Sequence, residues 1–199
     1  MHIRKRVDAD NTALVDLWER SVRATHDFLS EADIVELYPQ VRDLYLPAVE
    51  VWVLVDDDGV AQGFIGLNQA HVEMLFVEPG LRGRGIGRRL LDHARATWPR
   101  LSVDVNEQNE QAVGFYVRRG FVVTGRSELD DAGRPYPLLH MEALLTPVLH
   151  YLDDHRPGEL VGAYLYGSAA TAGLRPDSDV DLLILTRTQL SEAERASLV

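Results

Sequence analysis

The sequence predicts a mixed α/β domain, of the α+β type, with a shorter α/β segment behind it. Three observations support this expectation. Strand-like and helix-like hydrophobic patterns alternate along the first domain in the order β-α-α-β-β-β-α-β-α-β-β. An Asp-Gly turn joins two adjacent β-rich runs, and a glycine-rich loop joins a strand to an amphipathic helix. The pattern restarts after Thr146-Pro147, so we expect one domain over residues 1–145 and a second segment over residues 146–199.

The beginning of the chain predicts one strand and two helices. Residues 2–7 alternate weakly and end at Asp8-Ala9-Asp10-Asn11, a set of residues typical of a helix N-cap. Apolar residues at helical spacing follow, at Leu14, Leu17, Trp18 and Val22. A second helix is expected from the N-cap Ser30 to about Leu44, with Pro47 beyond it.

The middle of the chain predicts four strands and a helix. The β-rich runs lie at residues 49–55, 60–67, 70–77 and 101–105. Asp56-Asp57-Asp58-Gly59 separates the first two runs and indicates a tight hairpin, because glycine supplies the positive φ that such a turn requires. Apolar residues from Ile86 to Trp98 recur at helical spacing.

The remaining elements complete the first domain and open the second segment. A helix over residues 109–119 ends at Gly120, and strands are expected over 121–125 and 137–144. In the second segment we expect helices over 148–155 and 191–198, and strands over 160–166 and 180–185.

Composition and charge narrow the class of protein. The 199 residues include 46% apolar side chains and no cysteine, which excludes a disulfide framework and a thiolate nucleophile. Apolar runs such as Val51 to Val55 are far shorter than the roughly 20 residues of a membrane-spanning helix, and residues 1–6 lack the apolar stretch of a signal peptide. The net charge of -11 disfavours nucleic acid and anionic membranes as partners. We therefore expect a cytoplasmic protein, either a monomer or a homodimer.

The glycine-rich loop between residues 77 and 88 is the central functional feature. It alternates glycine with arginine, at Arg82, Gly83, Arg84, Gly85, Gly87 and Arg88. Glycines allow close backbone approach to a ligand, and unpaired amides at a helix start attract anions such as a pyrophosphate. The spacing matches neither a P-loop nor a complete dinucleotide fingerprint. Without further context, an exposed arginine-rich turn explains the same residues.

Two motifs together supply that context. Arg82-x-x-Gly85-x-Gly87, which follows Leu75-Phe76-Val77, resembles the acetyl-CoA signature of the GNAT superfamily of N-acetyltransferases. The later run from Val105 to Tyr116, closed by Gly120-Phe121, resembles a second segment of that family. The resemblance covers roughly residues 2–143 and the order of the elements, and it is greatest to small stand-alone bacterial enzymes.

The resemblance implies acetyl-CoA as co-substrate and direct attack of an amine on the thioester in a ternary complex. It implies that backbone amides of residues 82–88 bind the CoA pyrophosphate, that strand 70–77 pairs with the pantetheine, and that the amide of Leu75 or Phe76 polarises the thioester carbonyl. The cofactor-binding residues so implied are Leu75, Phe76, Val77, Arg82, Gly83, Arg84, Gly85, Ile86, Gly87, Arg88 and Asn109. Asn109 also fits a helix N-cap, a role compatible with cofactor contact.

The same resemblance assigns two catalytic residues. Tyr116 matches the general acid that protonates the departing thiolate, although a tyrosine packed between helix and sheet would give the same pattern. Strict alternation in strand 70–77 places His71, Glu73, Leu75 and Val77 on one face. Glu73 is the preferred base and His71 the second choice. A solvent-exposed carboxylate without a catalytic role is a competing interpretation of Glu73, because many family members use no single base.

The acceptor pocket is expected from two regions of the first domain, at Trp18, Arg23, His26, Phe28, Asp130, Asp131 and Tyr136. An acidic rim there favours a cationic amine of a small molecule or peptide, although Trp18 and Phe28 also fit a hydrophobic core. The histidines form no H-E-x-x-H motif or ligand cluster, so no metal site is expected.

The tail carries a second resemblance. Leu165-Tyr166-Gly167-Ser168, followed by Asp179-Val180-Asp181, resembles the opening of an aminoglycoside adenylyltransferase-type nucleotidyltransferase. In that family the Gly-Ser turn holds nucleotide phosphates and the paired aspartates hold Mg²⁺. Few residues follow Asp181, so we expect a truncated or fused remnant. Two alternatives to acetyl transfer remain, a metal-dependent nucleotidyltransferase and a non-catalytic CoA-binding module.

Overall fold

The computed structural model describes residues 1–143, 160–166 and 181–193. It divides into two compact units, Met1–Asp104 and Val105–Val199. Within the described ranges, none of the helices has the length and apolar character needed to cross a membrane.

The first unit alternates helical elements with strands. Its helices are α1 (Asn11–Thr25), α2 (Glu31–Gln40), α3 (Leu46–Ala48) and α4 (Ile86–Arg95). Shorter helical turns are the 3₁₀ turns Asp8–Asp10 and Pro79–Leu81 and the π-helical turn Val41–Tyr45. Its strands are β1 (His2–Lys5), β2 (Glu50–Val55), β3 (Ala61–Asn68), β4 (His71–Val77) and β5 (Ser102–Asn106), which runs into the second unit.

Strands of the first unit pair with their neighbours in sequence. β1 to β4 form an antiparallel series, and β5 pairs parallel with β4. One face packs on α1 and α2 in a cluster that includes Leu14, Trp18 and Phe64. The opposite face carries α4: a Cβ on Gly63 would lie 2.9 Å from the Ile86 side chain. Adjacent strand residues point to opposite faces, so Gly63 and Phe64 place the two helical layers on the two sides of β3.

The second unit contains α5 (Glu110–Val117) and two hairpins. β6 (Val122–Ser127) pairs antiparallel with β7 (Leu138–Glu142), and β8 (Leu160–Tyr166) pairs antiparallel with β9 (Asp181–Thr186). The Asn109 side chain caps α5 by accepting a hydrogen bond from the Ala112 N–H at 3.1 Å.

The sequence predicted α1, α2, α4, α5 and the strands of the described residues in their observed order. The short helix α3 was not predicted, and several boundaries differ. The Ser30 N-cap is confirmed, because its hydroxyl accepts the Asp33 N–H at 3.2 Å. The helix expected to continue to Leu44 ends at Gln40 and widens into the π-helical turn. The helix expected to reach Trp98 ends at Arg95. The expected helix over 148–155 lies outside the described residues.

Candidate active site

Strand β4 carries a β-bulge at Glu73. Its register with β3 pairs Gly66 with Met74 and Leu67 with Val72, so Glu73 is the extra residue. The exposed Glu73 carboxylate lies 3.5 Å from the Asn68 amide nitrogen. The bulge therefore bends β4 near its middle and places an exposed carboxylate there.

The bulge also corrects the face assignment made by strict alternation. Asn68 and Gly66 lie on one face of β3, and their partners are His71 and Met74. Leu75 pairs with Ile65 and therefore lies on the opposite face. His71 does not share a face with Leu75, because one inserted residue reverses the alternation within β4.

Beyond the bulge, β4 has a free edge on the side away from β3. In the described part of the chain, β4 pairs with β5 only through His71 and Val72. Glu78 N–H donates to Gln62 C=O of β3 at 2.9 Å. Because successive N–H groups of a strand point alternately to its two sides, this bond sets the direction of the preceding amides. By that alternation the N–H groups of Leu75 and Val77 point to the free edge. An extended polar ligand can therefore pair with β4 as an added strand.

The glycine loop leads from β4 into α4 and has a left-handed backbone at two positions. Gly83 has φ of 78° and Gly85 has φ of 81°. Both φ values favour glycine, because L side chains rarely adopt a left-handed backbone. The backbone angle rather than crowding is the constraint, since an added Cβ at either position would meet nothing within 4 Å. The first helical hydrogen bond runs from Arg89 N–H to Gly85 C=O at 3.0 Å. The amides of residues 85–88 precede that ladder and are available to an anion.

Within the described part of the chain, the arginines near the loop contact two backbone carbonyls and one carboxylate. Arg82 reaches the Ala24 carbonyl at 3.4 Å, Arg89 reaches the Met1 carbonyl at 3.1 Å, and Arg88 pairs with Asp92 at 3.3 Å. Arg84 is exposed. The positive charge of the cluster is therefore largely accessible to a phosphate ligand.

An ion pair that the sequence did not indicate holds the start of the loop against α1. The Arg20 guanidinium donates to Glu78 at 2.7 Å, and Glu78 precedes the 3₁₀ turn Pro79–Leu81. The hydrogen bond raises the pKa of Arg20 further above its usual value. These residues are 58 positions apart, so no local pattern could have shown the pairing.

Of the two candidate bases, His71 makes the shorter side-chain contact. Its Nδ1 lies 2.9 Å from the Ser102 hydroxyl at the start of β5. Glu73, by contrast, is exposed, and among the described residues its side chain makes only the long contact with Asn68. The two side chains lie two residues apart on β4, as the sequence predicted, and their environments differ.

Tyr116 and Asn109 belong to the second unit. Tyr116 is 5% exposed, and its ring stacks edge-on against Phe121 at 5.0 Å and Phe115 at 5.2 Å. Burial raises the pKa of Tyr116 above its usual value, so the phenol stays protonated well beyond neutral pH. Its hydroxyl makes no hydrogen bond to another described residue. Asn109 is buried and makes the α5 cap expected of it.

Several residues considered for the acceptor pocket have structural contacts instead. Trp18 is 5% exposed and belongs to the core cluster. Arg23 pairs with Glu19 and Glu31. Asp130 accepts the Arg134 N–H and pairs with its guanidinium at 2.8 Å, which closes the turn after β6.

His26, in the expected acceptor region, has a pKa far from its ordinary value. Burial lowers its pKa to about 4, so it is neutral at physiological pH. Its Nδ1 lies 2.7 Å from the Thr25 hydroxyl, and its ring packs against Phe28 with centroids 5.3 Å apart. Among the described residues, no group of His, Asp and Glu is arranged to hold a metal ion.

The free edge of β4 is followed in the chain by the glycine loop, whose last amides precede the hydrogen-bond ladder of α4. A strand edge that can pair with an extended arm and a loop with free amides for a pyrophosphate are the features expected of a transferase that takes its acyl group from a CoA thioester. The family described as "Acetyltransferase (GNAT) domain" matches residues 29–145.

Individual relatives agree with the family match. Peptidyl-lysine N-acetyltransferase YjaB of Salmonella typhimurium is 49% identical over 141 residues, which cover 71% of this chain and 97% of that protein. The solution structure of apo-form YjaB from Escherichia coli has a TM-score of 0.68 at 48% identity, covering 72% of this chain and 97% of that one. The PaiA N-acetyltransferase of Thermoplasma acidophilum, crystallised in complex with coenzyme A, has a TM-score of 0.58 at 22% identity and shares the fold, covering 71% and 96%.

The chain belongs to the GNAT family. It is an acetyl-CoA-dependent N-acetyltransferase, with acetyl-CoA as co-substrate and an amine as acceptor. The fold class and cofactor expected from the sequence are thereby confirmed.

The tail has relatives of its own. The "Polymerase beta, Nucleotidyltransferase" family matches residues 148–199. Spectinomycin 9-adenylyltransferase of Campylobacter jejuni is 58% identical over 41 residues, which cover 21% of this chain and 16% of that protein. The resemblance of the tail is confirmed. Asp181 begins β9 opposite Tyr166, whereas Gly167, Ser168 and Asp179 lie outside the described residues.

Proposed function

We propose that this acetyltransferase modifies the Nε amine of lysine in peptides or proteins. The observation that carries the proposal is the bulge in β4, which sets an exposed carboxylate, Glu73, beside a free strand edge. Lysine as acceptor is supported by the 49% identity to a peptidyl-lysine N-acetyltransferase over 97% of that protein's length.

The proposed reaction proceeds by direct attack. Glu73, directly or through a water, accepts a proton from the amine, whose nitrogen attacks the thioester carbonyl carbon. The Leu75 N–H, which points to the free edge, donates to the oxygen as negative charge develops there. The tetrahedral intermediate collapses, the C–S bond breaks, and the Tyr116 hydroxyl donates a proton to the CoA thiolate. His71 is the alternative base.

Binding of the co-substrate is assigned to three groups of residues. The N–H groups of Leu75 and Val77 pair with the pantetheine, and the amides of residues 82–88 bind the pyrophosphate. The arginine side chains of the loop add positive charge, and Asn109 contacts the cofactor while it caps α5.

The cellular context follows from charge and composition. The net charge of -11 supports a protein that binds neither nucleic acid nor anionic membranes, and the absence of cysteine is consistent with the cytoplasm. We propose a cytoplasmic monomer or homodimer. Sedimentation of the purified chain distinguishes the two states.

An acceptor panel tests the proposed substrate class. The panel contains an N-terminally blocked peptide with one lysine, the same peptide with a free N-terminus and norleucine in place of lysine, and spermidine. Thiol release and product mass report turnover. We expect the lysine peptide to have the highest kcat/KM. A preference for the free N-terminus or for spermidine contradicts lysine as acceptor, and so does turnover of none of the three.

A second candidate, nucleotidyl transfer, is favoured by the local match of the tail to adenylyltransferases. The chain spans only 16% of the Campylobacter relative, so we give nucleotidyl transfer only as a second proposal. Titration with ATP and Mg²⁺, beside titration with acetyl-CoA, distinguishes the two activities. We expect saturable acetyl-CoA binding, whereas AMP transfer to spectinomycin would establish the second function.

A further inference from the structure

A small open pocket lies at the end of α4 opposite the glycine loop. Its lining includes Glu50, Trp52, Leu67, His93 and Trp98, and we refer to it as the Trp52–Trp98 pocket. α4 has ten residues, so about 15 Å of helix separates this pocket from the loop amides. The acetyl-transfer residues proposed above do not line it.

Two of the chain's three tryptophans contribute to this pocket. The Trp52 ring stands edge-on to His93 with centroids 4.4 Å apart, which fixes the indole beside α4. Trp98 is 36% exposed, so its indole is accessible from solvent. Indole rings bind organic cations because their faces carry negative potential.

The polar groups around the pocket also favour a cation. The Glu50 carboxylate lies at its rim and is about half exposed. The end of α4 and the turn that follows it line one side of the pocket, and there Thr97 N–H and Trp98 N–H both donate to Ala94 C=O, at 3.1 and 2.9 Å. The carboxyl end of a helix is the negative end of its dipole. The Glu50 carboxylate, the indole faces and the carboxyl end of α4 therefore all attract a cation, and the one arginine in that last turn, Arg95, lies 3.9 Å from the Asp92 carboxylate.

The chain itself places an ammonium group at the edge of the pocket. Lys5, the only lysine, is the cross-strand neighbour of Trp52. Its Nζ lies 3.0 Å from the Glu50 carboxylate and 5.9 Å from the Trp52 ring centroid. The Lys5 side chain is 65% exposed, so this contact is weak and a competing cation can replace it.

We propose that the Trp52–Trp98 pocket is a binding site for a small organic ammonium, held by cation–π contact with the indoles and by the Glu50 carboxylate. The site is independent of acetyl transfer and does not require CoA. A neutral molecule of the same shape gains the apolar contacts and lacks the electrostatic attraction, so charge is the property that the site selects.

Titration of the full chain with choline tests the proposal. Its matched control is 3,3-dimethyl-1-butanol, in which carbon replaces the quaternary nitrogen. Tryptophan fluorescence and calorimetry, both without acetyl-CoA, report binding. We expect saturable choline binding at least about fivefold tighter than that of the alcohol. Equal affinity for the two compounds, or no saturable binding of choline, overturns the proposal.

Substitutions then locate the site. We expect Glu50→Gln to weaken choline binding about threefold to fivefold. For Trp98 we expect a graded loss, with Trp98→Leu weaker than Trp98→Phe, because cation–π attraction decreases in that order. Lys5→Met should tighten binding about twofold to fivefold, since it removes the competing ammonium. Glu36→Gln removes the same charge from an exposed position on α2 and should change nothing.

The same variants can also disprove the proposed site. Folding of each is checked by circular dichroism, and Trp98→Phe is the conservative substitution if Trp98→Leu fails to fold. Unchanged choline affinity in Glu50→Gln and Trp98→Phe places the ligand elsewhere and overturns the proposal. An equal loss in Glu50→Gln and Glu36→Gln shows a net-charge effect and overturns it too.

Discussion

At the scale of single residues, Tyr116 combines burial with a hydroxyl that no described side chain engages. Tyr116→Phe removes that hydroxyl and keeps the ring stacked against Phe121. If Tyr116 is the general acid, kcat should fall by about 100-fold or more, with little change in the KM for acetyl-CoA. Thiol release at saturating substrate measures the effect. Because burial raises the pKa of Tyr116, its own deprotonation should not limit the rate below pH 10.

The control for this substitution is Tyr45→Phe. Tyr45 is exposed, and its hydroxyl donates to the Gln40 side chain at 2.9 Å. Removing it should leave turnover unchanged. Turnover by Tyr116→Phe equal to that of the Tyr45 variant would show that the buried hydroxyl has no role as acid.

Glu73 offers a second test at the same scale. Glu73→Gln keeps the size of the side chain and removes its ability to accept a proton. If Glu73 is the base, kcat/KM for the amine should fall by about 100-fold at neutral pH, and the acid limb of the pH profile should disappear. His71→Gln is the parallel variant, because His71 is the alternative base. A pH profile unchanged in Glu73→Gln and altered in His71→Gln would reassign the base to His71.

His26 predicts a pH dependence of stability. Burial lowers its pKa to about 4 in the folded chain, against an ordinary value of about 6.5. Between those values the unfolded chain binds a proton that the folded chain does not, so stability falls as the pH decreases from 6.5 to 4. The loss should approach about 3 kcal/mol. Urea unfolding of wild type and His26→Gln at pH 7 and 4.5 measures it, and parallel losses in both proteins contradict the prediction.

At the scale of elements, the glycine loop depends on backbone conformation. Gly85 has φ of 81° and serves as the N-cap of α4. Alanine at this position should lower the free energy of unfolding by about 1 kcal/mol, because an L side chain disfavours a left-handed backbone. It should also weaken acetyl-CoA binding about tenfold by displacing the amides that follow.

Gly80 in the same loop is the matched control. Its φ lies outside the left-handed range, and an added Cβ would meet nothing within 4 Å. Gly80→Ala should therefore preserve both stability and acetyl-CoA affinity. Calorimetric titration and thermal melts of the two variants test this contrast. Equal behaviour of the two variants would mean that the positive φ at Gly85 does not determine the binding geometry.

The sequence predicted the elements because their signals are local. The β-rich runs of β2 and β3, the Asp56–Gly59 turn and the Ser30 cap each depend on residues close together in the chain. The bulge at Glu73 was not predictable in this way, because it is defined by register against β3. The π-helical turn Val41–Tyr45 was missed for a related reason: helical periodicity does not distinguish one wider turn.

In the candidate site, too, the features with local sequence signals were predictable and those set by tertiary contacts were not. Tyr116 and the loop residues were proposed from motif spacing, and Glu73 from strand alternation. They lie in the helix, loop and strand where the sequence placed them, and their roles stay predictions. The ion pair of Arg20 with Glu78 and the free edge of β4 depend on tertiary contacts. No periodic pattern records such contacts.

At the scale of the whole molecule, the chain combines an acetyltransferase with a tail of different ancestry. The two family matches cover residues 29–145 and 148–199. The compact units instead divide after Asp104, so the boundary near residue 145 stays a prediction. The Salmonella relative aligns over 97% of its own length with 141 residues of this chain. That relative therefore consists almost entirely of the aligned acetyltransferase region.

Truncation after residue 145 tests whether the acetyltransferase is self-sufficient. All the residues proposed for catalysis and acetyl-CoA binding precede that position, as do the core cluster of the first unit and the β6–β7 hairpin. The truncated chain should therefore fold and bind acetyl-CoA, and its kcat should lie within about twofold of the full chain, which is below 0.5 kcal/mol in activation free energy. Thermal melts, acetyl-CoA titration and thiol release measure the three properties. A folded product that binds acetyl-CoA but has lost turnover would show that the tail takes part in acetyl transfer, and an unfolded product would place the domain boundary elsewhere.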